Sequence, residues 1–392
     1  MRLFNLTMLH GKTGTTKPGP VETVMIISNT SWYLYNFRSK LIDELRCCGH
    51  EIIAVAPYDE YSGRLRNARY VELPMNNQGI NPWQDSLLIL RLLGLFIKYR
   101  PNVILSYTPK CNIYAALIAG LLNIPIVNNV SGLGTAFIWD NWVTRLVKLL
   151  YRVSLRRSRK VFFQNDDDMH LFVDGGMVKR SQVERLPGSG VDLQRFSPAQ
   201  VQHKNDGFVF LCVARMLKDK GIVELVEAVR LLKPQYPNLR CQLLGFLDVK
   251  NTSAIAKEEM QTWVDEGLVE YLGVSDEVVE YLRRCDCVVL PSYREGTPRS
   301  LLEAASVGKP IITTDAVGCR EVVDDGVNGY LCQVKSVVDL KDKMEKMLCL
   351  SESELLRMGL QGREKMQREF DETIVIDRYR ELVSQILTQI IH

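Results

Sequence analysis

From residue 24 onward, short apolar runs alternate with amphipathic stretches. The alternation breaks off near residue 187 and then starts again. "VMIIS", "EIIAVAP", "YVELP", "NVILSY", "PIVNNV", "KVFFQN" and "VERLPG" read as strands, and helical periodicity lies between most of them, over 34–48, 82–99, 110–122, 139–156 and 167–175. Strands that alternate with helices form parallel sheets covered on both faces. The first half is therefore Rossmann-like. At "PGSGVDLQRFSP" (187–198) the periodicity stops, and the polar, turn-rich "AQVQHKNDG" follows as a linker. The second series runs "FVFLCVA", helix 221–232, "RCQLLG", helix 255–266, "VEYLG", helix 275–284, "CVVLPS", helix 298–307, "PIITT", helix 319–324 and "GYLC". Three helical segments (336–349, 352–369 and 374–390) close the chain with no strand left to cover, so the last is free to return across the domain junction.

The expected fold class is α/β: two facing Rossmann-like, doubly wound domains with the active site in the cleft between them. The division is 1–20 a disordered leader, 21–190 an N-terminal domain, 191–370 a C-terminal domain and 371–392 the returning helix. A chain of 392 residues suits two domains of ordinary size. With 46% hydrophobic and 24% charged residues and a formal charge of +3, it has the balance of a globular protein with no polyelectrolyte partner such as nucleic acid. The richest apolar segment, "DSLLILRLLGLFIKYR", is interrupted by Arg91 and ends in charge, which argues against a spanning helix. The ten cysteines are scattered, several inside apolar strands, as expected of reduced core thiols. No His/Cys spacing suits a metal.

Chemistry concentrates where strands give way to loops. In "REGTPRSLLEA" (294–304), Thr297 is a candidate N-cap and Pro298 suits the first helical position. The N–H groups of Arg299, Ser300 and Leu301 would then be free, at the positive end of the helix dipole, and Gly296 would let backbone approach a ligand. That is an anion site fit for a diphosphate. Glu295 lies before it, and Glu303 about 8 Å along the helix from Pro298. Carboxylates accept hydrogen bonds from hydroxyls, so a sugar and a ribose flanking a diphosphate would fill the site. The plainer alternative is a helix-supporting Glu303 and a solvated Glu295. "VARMLKDKG" adds Arg215 and Lys220 at the carboxyl end of the strand "FVFLCVA", where two cations would neutralise a diphosphate leaving group.

These residues carry a resemblance. "ARMLKDKG", "SYREGTPRSLLEAASVGKPIITTDAVGCREVVDDGVNGYL", "TSWYLYNFRSKLIDELRCCGHEIIAVAP" and "VSGLGTAF" are similar to segments of retaining glycosyltransferases of the GT-B fold, glycosyltransferase family 4, over roughly residues 22–385. The resemblance implies that Arg215 and Lys220 bind the donor diphosphate, that Glu295 holds the transferred sugar and Glu303 the ribose, and that backbone around Gly296, Thr297 and Arg299–Leu301 meets the phosphates. Gly132 and Gly134 of "SGLGTAF" would let backbone approach donor or acceptor. It further implies transfer with retention, no cofactor and no obligatory metal, the nucleotide sugar being a co-substrate. No general base is named, because Asn128, Asn129 and Ser131 stand where many relatives place a histidine.

Within the family the chain looks most like bacterial enzymes of capsule, O-antigen and glycoprotein glycan assembly, including the N-acetylgalactosaminyltransferase type. The expected reaction moves a hexose or N-acetylhexosamine from a UDP-linked or similar nucleotide sugar to a polyprenyl-diphosphate-linked saccharide. A nucleotide-sugar epimerase of the same architecture and a non-catalytic UDP-binding module are the alternatives. "DDD" (166–168) opens a helix, where carboxylates suit the dipole, and is read as capping rather than as a metal site. "WDNWVTRLVKLLYRVSLRRSRK" (139–160) carries seven Lys/Arg among aromatics and leucines. It is either a sheet-covering helix with a solvated basic face or one lying on an anionic membrane. The favoured localisation is cytoplasmic, peripheral on the inner face of the cytoplasmic membrane.

Overall fold

The structure is a computed structural model that describes residues 21–76, 81–133, 142–198, 207–247 and 251–391. The leader 1–20, Gly134 and most of the linker 199–207 lie outside the described residues. The first series folds as β1 (Thr23–Ile27), α1 (Ser31–Cys47), β2 (Glu51–Ala56), β3 (Arg69–Glu72), α2 (Pro82–Tyr99), β4 (Val103–Tyr107), α3 (Pro109–Leu122), β5 (Ile126–Val130), α4 (Trp142–Ser154), β6 (Lys160–Phe163), α5 (Asp166–Asp174) and β7 (Val183–Arg185). Its seven strands are parallel, in the order β3-β2-β1-β4-β5-β6-β7. Continuous apolar runs such as "VMII" and "IIAVA" are buried from end to end, because helices cover both faces of the sheet.

The second series gives β8 (Val209–Val213), α6 (Ile222–Leu232), β9 (Arg240–Leu244), α7 (Lys257–Asp265), β10 (Glu270–Tyr271), α8 (Val278–Arg284), β11 (Cys287–Leu290), α9 (Arg299–Ser306), β12 (Ile311–Thr314) and β13 (Gly329–Cys332). These six strands are also parallel, in the order β10-β9-β8-β11-β12-β13. The expected helix over 319–324 is a run of turns instead. In both sheets the chain winds outward, returns to the centre and winds out the other way, so the direction reverses between β1 and β4 and between β8 and β11. Crevices at such switch points are where open α/β sheets bind ligands.

Helices α10 (Val337–Leu348) and α11 (Glu352–Glu369) cover the second sheet, and α12 (Glu372–Ile391) returns to the first. Val375, Tyr379, Val383, Ile386 and Leu387 of α12 are buried in one core with Leu34, Leu41 and Leu45 of α1 and with β1, β2 and β4. The two crossings between domains are tied to each other. Val191 N–H donates to Phe370 O (2.8 Å) and Glu372 N–H to Val191 O (3.2 Å). Gly190, at φ +69°, has no room for a side chain there, since a Cβ would lie 2.3 Å from Glu372 Cα. All ten cysteines are free thiols, seven of them buried.

Candidate active site

The loops after β8 and β11 flank the switch point of the second sheet, and they carry the two motifs that sequence singled out. After β8, Arg215 is exposed, and its guanidinium has no hydrogen-bond or ion-pair partner among the described residues. A short 3-10 turn, Lys218–Lys220, follows, then Gly221 at φ +72°. A Cβ on Gly221 would lie 2.1 Å from Pro291 O, so only glycine lets the two loops close on each other. Asp219 O accepts from Tyr293 N–H (2.9 Å) and from the Ser292 hydroxyl (3.2 Å), which completes the seam. Lys220 Nζ thereby meets Glu295 Oε1 in a close, largely buried ion pair. The structure thus brings Lys220 and Glu295 together, with Arg215 on the same loop as a cation free to receive an anion.

The stretch 294–299 differs in detail from its sequence reading. Helix α9 starts at Arg299, with Pro298 at the N-cap position and no side-chain cap. Thr297 does not cap it: its hydroxyl donates to Gln164 O (3.0 Å) and its N–H to Gln164 Oε1 (3.1 Å), both in the first domain. The Leu301 N–H is not free either, because it donates to Pro298 O (3.0 Å) in a tightened first turn. Gly296 has a different use from the expected ligand approach. A Cβ there would lie 2.1 Å from Ser131 O and 2.7 Å from Gln164 Oε1, and Asn165 Nδ2 donates to Gly296 O (3.0 Å). Gly132, at φ +130°, faces the same contact from the other side, with Gly296 N 3.2 Å from where its Cβ would be. The two glycines let the domains touch backbone to backbone.

Glu303 is largely but not fully buried, its side chain 13% exposed, and is ion-paired with Arg299 (2.8 Å). Burial pushes its carboxyl above the usual carboxylate range, and the Arg299 guanidinium opposes that. Arg299 also donates to Asn36 O (2.5 Å) and lies over the Phe37 ring, 4.7 Å from its centre. Its side chain thus runs toward α1. Ser300 lies on the first turn of α9 beside it.

Several contributors escaped the sequence reading. Gly318, at φ +83°, seats the Glu295 and Gly296 carbonyls, each 2.4 Å from where its Cβ would be, and Val317 O accepts from Glu295 N–H (2.9 Å). The signal was the glycine after "TTDAV", directly before the stretch 319–324 read as a helix. The three aspartates of "DDD" do open α5, but the cap itself is Asn165, whose side chain accepts from Asp168 N–H (2.8 Å). Each aspartate is paired with an arginine: Asp166 with Arg185 (2.9 Å), Asp167 with Arg320 (3.7 Å) and the fully buried Asp168 with Arg294. Arg294 and Arg320 come from the second domain, so this helix start is a domain clasp. Burial raises the Asp168 carboxyl and Arg294 counteracts it. No group of three or more His, Cys, Asp or Glu able to hold a metal ion occurs among the described residues.

Solved structures share this architecture. A sucrose-phosphate synthase from Thermosynechococcus elongatus superposes with a TM-score of 0.77 at 17% identity, covering 94% of this chain and 100% of its own. Anabaena HepE in complex with UDP-glucose does so with a TM-score of 0.76 at 16% identity, over 93% and 99%. Two parallel-sheet domains closed over a cleft in this way are the GT-B fold of glycosyltransferases. Residues 194–365 match the family "Glycosyl transferases group 1", so the chain carries a group 1 glycosyltransferase domain and is a glycosyltransferase. Over 383 residues it is 28% identical to the N,N'-diacetylbacillosaminyl-diphospho-undecaprenol alpha-1,3-N-acetylgalactosaminyltransferase of Campylobacter jejuni, spanning 93% of this chain and 99% of that one.

Proposed function

We propose that the protein moves a hexose or N-acetylhexosamine, with retention, from a UDP-linked sugar to a polyprenyl-diphosphate-linked saccharide. The observation that carries this reading is Arg215, exposed and with no side-chain partner among the described residues, beside the Lys220–Glu295 pair at the switch point. A diphosphate is the anion that two such cations suit, the arginine as a fork and the lysine as a point charge. The near full-length likeness to a transferase named for a diphospho-undecaprenol substrate supports the acceptor class. UDP as the nucleotide is supported by the UDP-glucose complex of a structural neighbour.

The C1–O bond to the donor diphosphate breaks as the acceptor hydroxyl bonds C1 on the same face, and the hydroxyl proton passes to the leaving phosphate oxygen. Arg215 and Lys220 stabilise the negative charge that grows on that phosphate. Arrival of the diphosphate draws Lys220 from Glu295, whose oxygens then accept from hydroxyls of the transferred sugar. The N–H groups of Arg299 and Ser300 line the phosphates; Glu303 holds the ribose. The residues supply position and charge, with no metal required. A position on the inner face of the cytoplasmic membrane is supported by helix α4, within 139–160, where Leu149 and Val153 are exposed beside Arg145, Lys148 and Arg152.

Glu295→Gln and Lys220→Ala are each expected to lower kcat by about 10²–10³-fold, typical of losing one charge-stabilising group, with the fold retained at a lowered melting temperature because each leaves a largely buried partner unpaired. The assay follows radiolabelled sugar into undecaprenyl-diphosphate saccharides from UDP-N-acetylgalactosamine, UDP-N-acetylglucosamine, UDP-galactose or UDP-glucose. Near-normal turnover by both variants would sink the site. Epimerised donor without acceptor would establish the epimerase reading, and UDP binding with no turnover of any donor the binding-module reading.

A further inference from the structure

Helices α2, α3 and α4 form one layer on one face of the first sheet, with α3 packed between the other two. Helix α3 is mostly apolar, with eight of its fourteen residues buried. Helix α2 has two apolar faces. Leu88, Leu92 and Phe96 enter the core, while Trp83, Leu87, Leu90 and Ile97 form a second line pointing out to solvent. Their spacing, i, i+4, i+7 and i+14, puts them on one side of the helix. Trp83 is 84% and Leu90 63% exposed. A soluble enzyme has no structural use for a second such line, which marks a surface to be covered.

Charge identifies what covers it. The stretches 81–100, 109–122 and 142–160 hold three, one and seven Lys/Arg respectively, against a single carboxylate, Asp85. Asp85 is itself buried and paired with Lys110 (2.8 Å). Over the whole chain the two signs nearly balance, at 49 basic and 46 acidic residues, so this layer is a local segregation of positive charge. Where α3 and α4 end, Arg156, Arg157 and Arg159 rim an open cavity of about 540 Å³ with no acidic residue in its lining. Exposed Leu121 and Val153 lie close by in sequence on the helices that end there. A second copy of the chain apposed on this layer would set like charges against each other. An anionic bilayer satisfies both features at once, taking the apolar line into its acyl boundary and its phosphates onto the arginines.

We propose that the α2–α3–α4 layer is a bilayer-docking face, in which the Trp83, Leu87, Leu90 and Ile97 line inserts and the Arg156/Arg157/Arg159 cavity holds anionic lipid phosphates. It extends the membrane reading of α4 and rests on that reading for the presence of a membrane, but it assigns insertion to a different helix. The full chain is sedimented with phosphatidylglycerol–phosphatidylcholine vesicles and with pure phosphatidylcholine, as wild type, Leu87→Glu/Leu90→Glu, Arg156→Gln/Arg157→Gln/Arg159→Gln, and Arg145→Gln/Lys148→Gln/Arg152→Gln. The first two variants are expected to lose binding to the anionic vesicles by about tenfold or more. Both are expected to keep the wild-type melting temperature and transfer to a short-chain, water-soluble acceptor. Trp83→Phe should remove most of the vesicle-induced blue shift of tryptophan fluorescence. If L87E/L90E binds like wild type while the α4 variant does not, the inserting role of α2 is overturned and the α4 reading stands. If wild type ignores anionic vesicles, both fall. A dimer in light scattering that L87E/L90E dissociates, without vesicle binding, would assign the line to a second copy instead.

Discussion

Replacing Gly296 by alanine tests how the two domains are held together. The added Cβ would fall 2.1 Å from Ser131 O and 2.7 Å from Gln164 Oε1. Ser131 directly follows β5, so its carbonyl is fixed by the sheet and the second domain must yield by roughly 1 Å to restore van der Waals separation. That displacement breaks three hydrogen bonds: Asn165 to Gly296 O, Thr297 N–H to Gln164 Oε1 and the Thr297 hydroxyl to Gln164 O. At about 1 kcal/mol net each, the closed arrangement loses about 3 kcal/mol. Since 1.36 kcal/mol is a factor of ten in rate, kcat should fall by about 100-fold if transfer requires this closure. The assay pairs steady-state transfer with small-angle scattering and UDP titration. The variant should give a larger radius of gyration and melt close to wild type, because neither domain core is touched, and UDP should still bind through Arg215 and Lys220. A G296A enzyme with near wild-type kcat and an unchanged scattering curve would refute the argument.

Arg215→Met should weaken UDP affinity while changing stability by no more than about 0.5 kcal/mol, as expected of an exposed side chain with no partner among the described residues; calorimetric titration and denaturant melts read the two effects. Glu303→Gln addresses pH. Burial raises the folded-state pKa of Glu303 above its unfolded value, so the stability tied to its proton is complete below the ordinary carboxylate pKa of about 4.3 and is lost as pH rises through the raised value. Wild type should therefore lose stability relative to E303Q across that window in urea melts taken from pH 4 upward, and parallel curves would contradict the burial argument. Truncation after Asp371 strips the buried side chains of α12 from the first core, and it should abolish the cooperative melt of that domain while leaving residues 207–369 folded, as read by amide exchange.

The two sheets were legible because their evidence is local. A strand buried on both faces must be apolar throughout, as "VMII" and "IIAVA" are, and each helix that covers a sheet must carry at least one apolar stripe. The placement of Arg215, Lys220 and Glu295 on loops next to each other also followed, since both loops leave the strands that flank a switch point. What could not be read was which partner claims a polar or glycine position. Thr297 has the chemistry of an N-cap, but Gln164, 133 residues away, takes its hydroxyl. Gly296 and Gly132 promise a close backbone approach without saying to what, and each turns out to admit the other domain. The pairing of Arg294 with Asp168 and the reach of Arg299 to Asn36 are likewise long-range, and no periodicity encodes them. The segment 319–324 forms turns instead of a helix, and the backbone contact lies just before it, where Gly318 is pressed under the Glu295 and Gly296 carbonyls.

The return of α12 has a consequence for how the chain is made. The first domain is discontinuous, residues 21–190 plus 372–391, with the second inserted between its parts and both crossings tied at Val191 and Glu372. Synthesis is vectorial, so the second domain has its whole core before residues 372–391 leave the ribosome, while the α1 face of the first sheet still waits for its cover. The nascent first domain thus spends the translation time of some 180 residues with an open apolar face, and the last helix acts as a folding clamp that completes the earliest-made part of the protein at the end.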